Sequence, residues 1–442
     1  MHFLSAGMSA VIWGSGQFRN RQWLKGLFFL FVQALLVFTE LITGTWNVLT
    51  GVAEGHFRNC GFFIRGIWGL VTLGEIPRTS SQVKIYDHST MLMIGGLVAI
   101  TLLIPFGVIY VINIRDAYVT AKKLRQGERV SSLSSIKGAF ERNFEYISIS
   151  PGLILMTFIS LLPVLFSLLV VFTNYNTNNI PPRNLIDWVG FRTFADIFQL
   201  PIWTGTFVYL FVWTVIWAFL AAFTSYGAGL LQAMMINSPL IRAKKFFRGI
   251  YMLPWAIPAY ISLLTFKNAF HSAGPINRFL LELGAVDSPI PFLSSTGWAR
   301  ACLVIVNMWL GFPYFMALIS GVIATINPEI NEAAEIDGAS SMQLFRKITF
   351  PYIISATAPQ IIFSVTFNFN NFGAVFYLTG GGPSNPDLRF AGATDILISW
   401  IYKLTVDQRM YNYAAAMSIF IFILLATFSG LNLRRTRAFK ED

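Results

Sequence analysis

Charge is what this sequence has least of. Asp, Glu, Lys and Arg make up 12% of its 442 residues, while hydrophobic residues make up 55%. A soluble domain carries about twice that share of charge. The shortage excludes an ordinary soluble fold and points to an all-α, polytopic membrane protein. The two cysteines, Cys60 and Cys302, offer neither a disulfide framework nor a metal-ligand spacing. Histidine is scarce too. His2, His56, His88 and His271 all fall outside the long apolar runs, and no HExxH motif or paired carboxylates occur within those runs. That argues against a membrane-embedded enzyme. No Gly-Lys-Ser/Thr triplet occurs, so the chain has no P-loop with which to hold ATP. The first apolar run lacks a small-residue cleavage site and is followed by others, so no cleaved signal is expected. A net charge of +11 would suit nucleic acid. The cations flank apolar runs, however, and so serve to orient membrane spans; no nucleic-acid partner is expected.

What is present is a series of about eight transmembrane helices. They read as Leu24–Thr43, Met91–Ile112, Ile149–Phe172, Trp203–Leu231, Ile250–Phe266, Cys302–Thr325, Ile353–Leu378 and Tyr413–Leu433. The fourth is longer than a bilayer needs and is expected to tilt or break near Gly227 and Gly229. The fifth contains Pro254 and Pro258 and is expected to bend. Residues 1–23 hold Trp13, Phe18 and Trp23 among arginines and read as interfacial. Gly61–Leu73 is too short to cross ~30 Å of hydrocarbon and reads as interfacial or re-entrant. With the N-terminus inside, twenty of the 32 Lys and Arg fall on the inner side. The positive-inside rule then places both termini in the cytoplasm of a multi-pass plasma-membrane protein. The expected division is 1–147, with two spans and the basic connection Arg115–Arg142, and 148–442, a core of six spans.

Between spans six and seven lies a polar stretch, Glu332–Pro351 (EAAEIDGASSMQLFRKITFP). Asn331 or Asn327 is placed to cap a short helix, with Glu332 and Glu335 in its first turn. Gly338 interrupts it, a costly choice unless something packs closely there. A second helix, Met342–Ile348, is expected to end before Pro351. The charge count places this knob in the cytoplasm.

Three spans carry uncharged polar residues at membrane depth. Asn307, Leu310, Gly311 and Tyr314 recur at i, i+3, i+4, i+7 and share one helix face. Phe367, Asn368 and Asn371 follow in span seven, with Asn370 pointing elsewhere, and Trp255 and Ala259 sit beside the prolines of span five. Amides supply donors and acceptors for hydroxyls, and aromatic faces cover the apolar faces of a sugar. Interhelical packing by the asparagines is the other reading. No charge falls in the middle of spans five to eight, which argues against a proton- or sodium-coupled secondary transporter.

The stretch Glu332-Ala333-Ala334, Gly338, Ile348, Pro351 resembles the EAA loop of ABC importer permeases, with Phe350 where Leu is usual. LPWAIP (Leu253–Pro258), NMWLGFPY (Asn307–Tyr314), FNFNNF (Phe367–Phe372), GGGP (Gly380–Pro383) and TDILISWIYKL (Thr394–Leu404) resemble the larger, MalF-type membrane subunit of maltose and maltodextrin importers. The resemblance implies a type I ABC importer permease fold, with a coupling loop at 327–351 that docks on an ATPase through Glu332, Ala333, Ala334, Asp337 and Gly338. It implies a sugar site at Trp255, Ala259, Asn307, Leu310, Gly311, Tyr314, Phe367, Asn368 and Asn371. Trp255 and Ala259 replace a Tyr and a Ser of the enteric pattern. The loop Asn174–Ile202 is too short for the folded domain of enteric members, as in the Gram-positive form. The implied partners are a second, MalG-type permease subunit, two cytoplasmic ABC ATPases and a lipid-anchored extracellular sugar-binding protein. The implied function is maltodextrin-type import, or import of another oligosaccharide or glycoside. The chain itself is expected to be non-catalytic, with no cofactor or metal; ATP and Mg would sit on the ATPase.

Overall fold

The computed structural model describes residues 2–44, 57–81, 86–128, 130–238 and 240–435. Of the cations weighed for orientation, Lys84, Arg129, Arg437 and Lys440 lie outside these, as does the side chain of Asn331. Among the described residues the fold is all-helical; the only β-type pairings there are isolated bridges. The chain forms two compact units, Met1–Thr193 and Phe194–Asp442.

The first unit opens with α1 (His2–Val11), α2 (Ser15–Arg19) and α3 (Trp23–Thr43). After these come α4 (Phe62–Thr72), α5 (Ser89–Arg125), α6 (Ser132–Arg142), α7 (Phe144–Met156) and α8 (Leu162–Val170). In α1 the polar face is inside: Ser5 and Ser9 are buried while Phe3 and Val11 are about three-quarters exposed. A network centred on Asn113 of α5 explains this. Its Oδ1 accepts from Gly14 N at 3.1 Å and its Nδ2 donates to Ser9 O at 2.9 Å. Gln17 Nε2 donates to Asn113 O at 2.9 Å, and Lys25 pairs with Asp116 at 2.6 Å. Buried amides must be paired, so this network fixes α1 and α2 against α5. The helix α4 packs lengthwise and antiparallel along α5. Gly66 lies against Ala99, and Leu70 against Gly96. Its first two amides are capped from α3, by Thr43 Oγ1 at 2.7 Å and Glu40 Oε2 at 2.8 Å. The basic connection expected at Arg115–Arg142 is largely helical, because α5 continues to Arg125 and α6 follows.

The second unit begins with α9 (Arg192–Gln199), which starts at the boundary, and α10 (Pro201–Asn237). The broken segment α11 (Lys244–Tyr251), α12 (Leu253–Ala256) and α13 (Ala259–Ala269) follows, then α14 (Pro275–Glu282) and α15 (Thr296–Ala324). It ends with α16 (Pro328–Ile336), α17 (Ser341–Leu344), α18 (Phe350–Phe369), α19 (Phe372–Leu378), α20 (Leu397–Val406) and α21 (Tyr411–Arg435). Its centre is the crossing of α10 and α15. Gly229 makes that crossing close: a Cβ there would sit 2.5 Å from Phe315 Cβ and 2.9 Å from Phe312 O. Of the tilt or break expected near Gly227 and Gly229, the break is absent, and α10 runs unbroken through both.

Among the described residues six helical segments are long and apolar enough to cross a membrane: Trp23–Thr43, Ser89–Arg125, Phe144–Val170, Pro201–Asn237, Thr296–Ala324 and Ser341–Phe369. Of the other two expected spans, the fifth is broken by Pro258 and the eighth lies in α21, with a shorter apolar stretch at Tyr411–Thr427. Two of the six contain a π-helical turn, Thr157–Leu161 and Phe345–Thr349. Each turn holds the carbonyl four residues before a proline, Pro163 or Pro351, which has no N–H to give it. Widening the turn absorbs the missing bond without ending the helix. The second helix of the knob thus runs on through Pro351 into α18, where the sequence pattern had it stop.

Candidate functional site

The membrane helices around a cavity in the second unit are discontinuous. Ile257 is extended (φ −103°, ψ 130°) because it precedes Pro258. This separates α12 from α13. Asn370 ends α18, and Asn371 begins α19 by accepting a hydrogen bond from Ala374 N at 3.3 Å. Non-helical backbone at this depth is stable only where it lines a cavity or is packed in protein.

The cavity between these breaks and α15 encloses about 640 Å³. All nine residues singled out in the sequence line it: Trp255 and Ala259; Asn307, Leu310, Gly311 and Tyr314; Phe367, Asn368 and Asn371. Among the described residues no charged residue and no histidine does. The three amides are not equivalent. Asn371 Nδ2 donates to Asn307 Oδ1 at 3.1 Å and to Asn368 Oδ1 at 3.3 Å, while its own oxygen caps α19. Asn368 Nδ2 donates to Ser364 O at 2.9 Å. Asn307 Nδ2 donates to no partner among the described residues. Asn371 is therefore a brace, and Asn307 is the donor left open to the cavity. Packing and lining, alternatives in the sequence, are divided between neighbouring residues.

Aromatic rings stand on both sides of this amide level. Trp255 and Tyr314 are stacked, with centroids 6.0 Å apart and 26° between planes. The Tyr314 hydroxyl donates to Gln360 Oε1 at 3.1 Å. Tyr260 and Tyr377 form a second pair at 6.2 Å and 50°. The sequence pattern did not reveal Tyr260, Tyr377 or Ser364. Tyr377 lies past the break in span seven, where helical counting fails. From behind, α10 supports the site: Trp217 Nε1 donates to Asn368 O at 3.1 Å. A Cβ on Gly311 would stand 2.6 Å from Ser225 Oγ, so the two helices meet closely there.

The knob is built as a separate device. Asn327 caps α16 by accepting from Glu329 N at 3.1 Å, and Pro328 takes the first helical position. At its other end Gly338 N bonds Glu335 O at 3.0 Å and Ala339 N bonds Ala334 O at 2.9 Å. This is a Schellman cap, and Gly338, at φ +80°, takes its left-handed position. Among the described residues nothing lies within 4 Å of a Cβ built there. The glycine serves the cap, and no close packing among those residues demands it. Ser340 and Gln343 then form a capping box for α17. Glu332, Ala333, Asp337 and Gly338 are exposed, Ala334 is half-buried, and Ile336 is 87% exposed.

The stretch after α19 is pinned by Asp395. Fully buried, it accepts from Lys403 Nζ at 2.6 Å, Gly392 N at 2.7 Å and Ser399 Oγ at 2.8 Å. A buried carboxylate so fully paired holds the loop in one arrangement.

Broken membrane helices around an uncharged cavity, with an exposed helical knob between spans, describe a permease. Residues 225–436 match the family described as binding-protein-dependent transport system inner membrane component. Over 447 residues the chain is 38% identical to the galactooligosaccharides transport system permease protein GanP of Bacillus subtilis (strain 168), covering 100% of this chain and 99% of that one. It is 38% identical over 446 residues to the maltodextrin transport system permease protein MdxF of the same organism, covering 99% and 96%. It is 36% identical over 269 residues to the maltose/maltodextrin transport system permease protein MalF of Escherichia coli (strain K12), covering 60% and 52%. The fold resembles that of a bacterial ABC transporter involved in alginate import, with a TM-score of 0.57 and 21% identity over 70% of this chain. The chain belongs to the family of binding-protein-dependent transport system inner membrane components. It is a multi-pass, non-catalytic permease subunit of an ABC importer.

Proposed function

We propose that this permease carries neutral oligosaccharides of the maltodextrin type, held transiently in the cavity of the second unit. The observation that carries this reading is the lining: amides and aromatic rings with no ionisable group other than tyrosine hydroxyls. Hydroxyl-rich, uncharged solutes match it, since amides pair with hydroxyls and a charged solute would require a buried counter-charge. Relatives whose names specify maltodextrin and galactooligosaccharides are equally similar, at 38% each. The second reading is therefore a galactooligosaccharide. In either case the nine lining residues named above form the substrate site.

The working assembly in this proposal contains a second permease subunit, two cytoplasmic ATPases and a lipid-anchored extracellular binding protein. ATP and Mg are held by the ATPases. Glu332, Ala333, Ala334, Asp337 and Gly338 dock on one ATPase, both termini are cytoplasmic, and residues 148–442 form the permease core. ATPase closure moves the knob, and the helices switch the cavity from inward- to outward-facing. The exposure of Ile336 supports this, because an isolated apolar side chain at a helix end is well placed to enter a partner's groove.

The test is uptake of labelled α-glucans and galactooligosaccharides in a strain lacking this gene, with and without its restoration. Restored uptake of α-glucans is expected. Restoration only for galactooligosaccharides selects the second reading, and restoration only for a charged solute overturns both.

A further inference from the structure

We infer that Tyr260 and Tyr377 form a second ring-binding subsite that sets how long an oligosaccharide the cavity holds; this rests on the sugar reading above. The argument is one of position along the helices. Tyr314 lies seven residues past Asn307 on α15, about 10 Å toward the knob at 1.5 Å per residue. Its hydroxyl meets Gln360, eleven residues before Asn371 on the returning chain, so both belong to the knob side of the amides. Tyr377 lies six residues past Asn371, about 9 Å the other way. The packing of α19 agrees. Val375 and Leu378 cluster with Leu303, which precedes Asn307, and with Leu263. The two aromatic pairs thus flank the amides on opposite sides, and all belong to one cavity.

The Tyr260–Tyr377 pair is packed on one side only, where Tyr377 rests on the apolar cluster and meets Phe376 edge-on. Tyr260 is 51% exposed, and neither hydroxyl hydrogen-bonds among the described residues. The rings are tilted by 50°, so their faces are not closed on each other. A cavity of about 640 Å³ is of the size that encloses a drug-sized ligand, ~300–1,000 Å³. That corresponds to two or three linked hexoses. One ring lies against Trp255 and Tyr314, the amides take hydroxyls of the middle of the chain, and a further ring meets Tyr260 and Tyr377.

The experiment measures uptake of linear α-glucans of two to five rings by the whole transporter carrying Tyr377→Leu, Tyr260→Leu or Tyr377→Phe. Membrane levels of the assembled complex are measured alongside. Both leucine variants should raise KM for three rings and longer by about two- to tenfold, leaving the disaccharide within twofold. Tyr377→Phe, which keeps the ring, should retain most of the long-chain affinity. Equal loss at every length, or no loss at normal assembly, overturns the subsite. If a leucine variant assembles poorly, the Tyr377→Phe and Tyr260→Phe length profiles decide: a loss larger than twofold for long chains would overturn stacking as the contact. The wild-type arm separates the two proposals. Wild type that takes up no α-glucan but does take up galactooligosaccharides moves the same length series to that sugar. Wild type that takes up neither refutes the sugar reading itself, and the subsite with it.

Discussion

Side chains that line the cavity differ in whether their polar atoms stay open to it or are spent on bracing neighbours, and the hydrogen bonds tell them apart. Asn307 has an open Nδ2, so Asn307→Ala should remove a cavity contact of about 0.5–1.5 kcal/mol, along with one of the two bonds Asn371 donates. Uptake KM should rise up to about tenfold with normal assembly. Asn371 caps α19 and braces both neighbours, so Asn371→Ala should also cost about 0.5–2 kcal/mol of fold stability. Its signature is less assembled complex, measured by solubilisation and gel filtration, together with weaker uptake. Equal and purely kinetic effects of the two substitutions would contradict the division. Gly229→Ala tests packing alone. The added carbon would overlap Phe315 and the backbone of α15, costing about 1–3 kcal/mol. The melting temperature of the purified complex should fall while KM stays constant.

At the scale of elements, the recurring device is the deliberate interruption. Prolines at 163 and 351 are absorbed by π-helical turns and leave their helices running, whereas Pro258 separates α12 from α13. The difference is backbone geometry at the preceding residue, which is helical at Leu162 and Phe350 and extended at Ile257. The knob is interrupted differently, by a left-handed cap at Gly338. Two substitutions separate this cap from the ATPase docking proposed for the same face. Gly338→Asn keeps a residue that tolerates the left-handed region, and Gly338→Val does not. Valine should uncouple sugar-stimulated ATP hydrolysis and release the ATPase from membranes. If the cap is the whole reason for the glycine, asparagine should retain most coupling. If asparagine fails as fully as valine, the docking face itself excludes a side chain.

For the whole molecule, the testable statement is the proposed orientation, in which charge bias has α6 on the inside and the segment before α15 on the outside. Cysteines introduced at Ser132 and Ser288 should label from opposite faces of intact cells; labelling from one face would refute the arrangement. The native cysteines give little background. Cys302 is buried. The thiol of Cys60 is pushed up in pKa by burial and then by the Glu40 carboxylate, leaving little reactive thiolate at neutral pH. Large apolar side chains remain exposed along the spans, among them Phe31 at 66%, Ile159 at 71% and Phe422 at 71%. In water these would aggregate; lipid and neighbouring subunits are the surroundings that suit them.

Hydropathy, charge bias and helical spacing are local properties. By themselves they determined the membrane class, the run of spans, the polar knob and the shared face of Asn307, Leu310, Gly311 and Tyr314. The EAA pattern likewise reads from one short stretch, because its caps are made by residues two to five apart. Tertiary structure decided what depends on partners distant in sequence. Asn371 meets Asn307 across 64 residues, and Gly14 meets Asn113 across 99. No periodicity signals such a pairing. The break after Phe369 was equally hidden, since FNFNNF counts as continuous helix until the Asn371 side chain takes the Ala374 amide. Gly229 looked like a weakness in its own helix, and only the facing backbone of α15 shows it to be a point of close approach.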